Sequence, residues 1–126
     1  MRPVAALLSG DRLHLQHGPI DLVIGIDGDR DAAFAAARAR LETVLSELVA
    51  ELPLLRTPVL PGTPLARGVI ERRMDKACRP CAHHFVTRMA AVAGSVADEV
   101  LEAILHATTP ERLYVNNGGD ISVFLT

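Results

Sequence analysis

The stretch LYVNNGGDISVFLT, residues 113–126, holds two apolar runs parted by Asn116, Asn117, Gly118, Gly119 and Asp120. Asn-Gly between alternating runs is the strongest short-range hairpin signal. It predicts two strands, LYVNN and DISVFLT, folded back on one another. The same five residues also suit a ligand wall. Two glycines expose backbone N–H groups and let a phosphate or a ring come close. Asn116 and Asn117 offer donors and acceptors, and Asp120 could take a hydroxyl or a metal. Turn and wall both stand at this point, and either one ends the chain in a hairpin that needs a sheet to join.

Upstream, TRMAAVAGSVADEVLEAILHA (87–107) predicts a helix, with Met89, Val92, Ala93, Val96, Val100 and Ile104 as its buried stripe. Its first half is small: Ala90, Ala91, Ala93, Gly94, Ser95 and Ala97. Gly94 within a helix costs about 1 kcal/mol relative to Ala. Such a face suits close helix-on-sheet packing, and it also suits a ligand lying against the backbone. Asp98 follows that face as a candidate site acid, whereas Glu99 and Glu102 read as solvated helix acids.

At the other end, RLHLQ (12–16) alternates as a half-buried strand does, and IDLVIGID (20–27) is rich in Val and Ile. The two predict a hairpin across His17-Gly18-Pro19. His14 and His17 receive no role. A long helix is expected over 29–52, with Phe34, Ala37, Leu41, Val44, Leu45, Leu48 and Leu52 on one face and Pro53 ending it. The proline-rich 54–68 reads as an irregular connector, and 66–78 as a short helix with Val69, Ile70, Met74 and Ala77 inward. The order β-β-α-(α)-α-β-β predicts an α+β fold, an α/β sandwich of helices packed on an antiparallel or mixed sheet.

The chain has 126 residues, 49% hydrophobic but only 3% aromatic, so its core is aliphatic and its length suits one domain. Few aromatics and a net charge of −2 disfavour nucleic-acid partners. The apolar run near the start is short for a signal-peptide core, and no run reaches membrane-spanning length. The expectation is a cytoplasmic protein with no membrane partner.

CRPCAHHF (78–85) sets Cys78 and Cys81 at C-x-x-C spacing, with His83 and His84 next. That spacing serves zinc and thiol exchange. No second C-x-x-C half follows, and side chains of adjacent histidines diverge. Incidental loop thiols, a metal set of Cys78, Cys81 and His83, and a sulfur-handling site all remain open.

Taken together, AVAGSVAD (91–98) and NNGGDI (116–121) resemble motifs of the ApbE-like family, relatives of the FAD:protein FMN transferases. The opening RLHLQHGPIDLVI and the helix after it add to the likeness. The resemblance implies an ApbE-like, T-fold-like domain over 1–126, incomplete at its C-terminus and matching the N-terminal half of the family unit. It implies FAD against the small helix face and the glycine loop, with Mg²⁺ assisting pyrophosphate cleavage. The cofactor-binding residues it points to are Thr87, Ala90, Ala93, Gly94, Asp98, Asn116, Asn117, Gly118, Gly119 and Asp120. The Lys of the transferase helix motif is missing here, where Ala93 precedes Gly94. A lone half with a bare last strand is expected to form homo-oligomers. Two further expectations are kept beside a flavin- or nucleotide-binding role: a thiol or metal protein using Cys78 and Cys81, and a non-catalytic assembly subunit.

Overall fold

The closing hairpin forms where its sequence places it. β4 (Arg112–Asn117) and β5 (Asp120–Leu125) pair antiparallel, with Asn117 opposite Asp120. Gly118 and Gly119 turn at φ 60° and 108°. Two positive φ values in a two-residue loop give the type I′ turn, whose twist matches the strands it joins. The second hairpin is β2 (Arg12–His17) with β3 (Ile20–Asp27).

The computed structural model describes residues 2–60, 62–84 and 86–126, with backbone alone at His83 and His84. One sheet of five strands results, in the order β1-β2-β3-β4-β5, every pair antiparallel. The mixed-sheet option is thereby removed and the α+β class holds. β1 (Val4–Leu8) was not legible. VAALL shows no alternation, and Ala favours strands weakly. Its pairing with β2, Val4 opposite Gln16 through Leu8 opposite Arg12, makes it a strand.

The helices lie on one face. α1 (Arg30–Ala50) starts at Asp29, whose side chain accepts the Ala32 N–H at 3.1 Å. Pro53 does not simply end that helix; it occupies the first turn of a new short one, α2 (Leu52–Leu55). α3 (Val69–Cys78) follows the connector. The helix expected from residue 87 is split: Arg88–Ala91 is a 3-10 helix, and α4 runs Val92–Ala107.

Leu13, Leu15, Leu22, Ile24, Leu113 and Val115 from the sheet meet Leu41 and Val44 of α1 and Val96, Val100 and Ile104 of α4. α3 turns differently from its expected face. Val69 and Ala77 face water, while Ile70, Glu71, Met74, Asp75 and Cys78 are buried. Glu99 is not solvated as expected: it takes Arg40 Nε at 2.9 Å and Arg73 Nη2 at 3.3 Å, tying α4 to α1 and α3. No helix among the described residues is long and apolar enough to cross a membrane.

On the opposite face Tyr114 lies across from Gly25, and a Cβ at Gly25 would come within 2.3 Å of its ring. The glycine gives the ring its seat. No described element covers this face, and Ile121, Val123 and Leu125 of the edge strand are 57%, 56% and 66% exposed.

Candidate functional site

Asn117 closes β4 with its side chain on the helical face, 7% exposed, and its Nδ2 donates to the Ala93 carbonyl at 3.1 Å. This bond joins the end of β4 to the first turn of α4. Beside it lies a cavity of about 370 Å³. Ala93, Val92 and Val96 of α4, Leu45, Leu48 and Val49 of α1, and Leu52 at the start of α2 supply most of its wall. Pro19 from the β2–β3 turn, Ile20 at the start of β3, Met89, Asn117 and Arg56 complete it. The lining is apolar apart from Asn117 and Arg56, the usual make-up of a small-molecule pocket. A cavity of ~150 Å³ holds benzene, so this one has room for a body of two or three rings.

The ten expected cofactor residues divide. Ala93 and Asn117 are on the cavity wall. Gly94, Gly118 and Gly119 are not, and a Cβ at any of the three would meet nothing within 4 Å. The small face packs close through Ser95 and Ala97, which are buried, but Gly94 takes no part in it, because no neighbour presses on it. Asn116 belongs to the turn, where its Oδ1 accepts the Gly119 N–H at 2.8 Å. Asp98 accepts the Ser122 hydroxyl, fastening α4 to β5. Asp120 is exposed at the start of β5. Thr87 pairs with Pro58 in an isolated bridge, and its carbonyl accepts the Ala90 N–H at 3.2 Å. Thr87 and Ala90 thus order the entry to α4 and do not line the cavity.

The C-x-x-C pair divides as well. Cys78 is 3% exposed, with its Sγ 3.5 Å from the Thr87 carbonyl, and burial pushes its thiol up from the ordinary cysteine range. Sulfur chemistry needs the opposite shift. Cys81 is exposed. Among the described residues no three His, Cys, Asp or Glu side chains gather as a metal set. The His83 side chain, part of the expected set, lies outside the described residues.

Sequence reasoning missed Arg56 and the cavity's α1 wall. Leu45, Leu48 and Leu52 read as ordinary core. No local signal in the sequence set them apart: the exposure of Val49, 56%, and the lack of an ion pair at Arg56 among the described residues are features of the fold.

No curated protein and no solved structure matches the chain. The likeness to the ApbE-like relatives of FMN transferases is corrected by the family comparison, and with it the view of the chain as half of that unit. Residues 4–126 match the family model described as AbpE bacteria, and the chain belongs to that family.

Proposed function

We propose that this domain binds a small molecule with a flat or elongated apolar body, and that flavins are the first class to test. The observation that carries the reading is the cavity of about 370 Å³ with Ala93 and Asn117 on its wall. A tricyclic ring suits that volume. The backbone beside it, at Gly94 and Gly118, faces open space that a polar tail could cross.

The test is a titration with riboflavin, FMN and FAD, with and without Mg²⁺, followed by flavin fluorescence and melting temperature. Saturable binding is expected, and about 2.7 kcal/mol of added stability at a hundred times Kd. Ala93→Trp fills the cavity and should abolish binding. Gly119→Val strains a positive-φ turn that does not line the cavity and should leave affinity nearly unchanged. The reverse pattern would move the ligand to the glycine turn. No saturable binding at high micromolar flavin would remove the flavin class.

A second reading concerns self-association, and the bare edge of β5 favours it. Antiparallel pairing of β5 with a second copy about Val123 sets Ile121 against Leu125 and Val123 against itself. Asp120, the strand's one charge, then faces Thr126 of the copy, so no acid opposes an acid. Sedimentation at increasing concentration should show twice the chain's mass of 13.5 kDa. A strict monomer at high concentration would dismiss it.

A further inference from the structure

Arg56 follows α2 and caps it through its backbone N–H, which bonds the Leu52 carbonyl at 3.0 Å. Its side chain does no such work. It is exposed, and like Arg38, Arg67 and Arg72 it has no ion pair or side-chain hydrogen bond among the described residues. It nevertheless lines the cavity, as the one charged residue on that wall. The other polar residue on that wall, Asn117, donates its Nδ2 to the Ala93 carbonyl.

We infer that the ligand is an anionic amphiphile, its apolar body in the cavity and its carboxylate, sulfonate or phosphate paired with Arg56. The inference rests on the cavity reading above and adds the charge of the ligand. A guanidinium offers planar, paired donors that match such oxyanions, and it stays charged at every physiological pH. A cation at the rim of an apolar slot orients the molecule. The acid end stops at the rim and the hydrocarbon enters. No acidic residue on the wall competes for the arginine.

The experiment compares two fluorescent probes of one skeleton: anilinonaphthalene sulfonate, and phenylnaphthylamine, which lacks the sulfonate. Wild type should bind the sulfonate more tightly, by up to about fivefold for an ion pair at an exposed rim. Arg56→Gln should erase the preference by weakening the sulfonate alone, and Arg56→Lys should keep part of it. Raised salt should narrow the gap in wild type but not in Arg56→Gln. Equal affinities in wild type, or a preference that survives Arg56→Gln, would overturn the inference while leaving the cavity intact. If neither probe binds, or both bind Ala93→Trp as well as wild type, the cavity reading fails and the inference falls with it.

Discussion

Glu71 is the residue whose chemistry and position conflict most. It stands three residues after Gly68, the N-cap of α3, where a glutamate commonly reaches back to the cap's N–H. That N–H is already taken: Glu51 accepts from Gly68 at 2.8 Å and from Arg67 at 2.9 Å. Glu71 is left 1% exposed against the Gly68 backbone, with its own backbone N–H as the one donor near its carboxyl and no hydrogen bond from any other described residue. Burial pushes its pKa up, and the charges of Glu51 and Glu47 push the same way. The folded chain therefore holds this proton to higher pH than the unfolded chain does. Stability contributed by the neutral form is present below the unfolded pKa and is lost as pH rises through the folded one. Glu71→Gln cannot ionise. It should melt above wild type at pH 7, by roughly 4 °C for each kcal/mol relieved, and the two should converge at pH 4. A variant that melts below wild type at pH 7 would contradict the assignment. None of this was legible, because a lone Glu in a polar helix reads as a surface residue.

Among elements, the connector 57–68 shows how a buried arginine replaces regular structure. Arg88 is fully buried. Its Nη1 and Nη2 donate to the carbonyls of Leu54 at 3.1 Å and Pro64 at 2.7 Å, and its Nε donates to Asp75. Burial alone would raise the Asp75 pKa, but the Ala66 N–H and Arg88 outweigh it and hold that carboxyl below its usual range. Arg79 adds a bond to the Thr63 carbonyl at 2.6 Å. The carbonyls of Thr63 and Pro64 and the N–H groups of Ala66, Arg67 and Gly68 thus find their partners in side chains. Arg88→Ala would take the fully buried cation from Asp75, leaving it the Ala66 N–H and a longer contact to Arg79, and would leave the Leu54 and Pro64 carbonyls to Thr57 and Arg79 alone. It should cost about 3–5 kcal/mol, read as a lower urea midpoint; a loss under 1 kcal/mol would mean that water replaces the guanidinium. The main strands and helices were legible because their periodicity is local. The β4–β5 turn was legible because a two-residue hairpin loop demands positive φ at both positions, and glycine takes it without strain. Arg88, Asp75 and Arg56 act across long separations, and periodicity carries no trace of that. The cavity escaped for a related reason: its α1 leucines have the spacing of core residues, and only the convergence of α1, α2, α4 and two strand ends leaves space between them.

At the scale of the whole molecule, helices cover one face of the sheet and leave two edges, β1 and β5. Edge strands are commonly blunted by Pro, Lys or an inward charge. β1 has Pro3 directly before it, with no N–H to offer, and Arg2 beyond. β5 has none of these between Asp120 and Leu125, and its outward residues are Ile121, Val123 and Leu125. The two edges therefore differ, and association should use β5. Lysine tests each edge separately. Val123→Lys places two ammonium groups against each other on the dyad of a β5 pair, so it should convert dimer to monomer. Val4→Lys, at an equally exposed edge position, should leave the mass unchanged. Both sites face solvent in the single chain, so neither change should move the melting temperature of a monomer by more than about 0.5 kcal/mol in equivalent stability. If Val4→Lys dissociates the pair and Val123→Lys does not, the association runs through β1, and the bare β5 edge has another use.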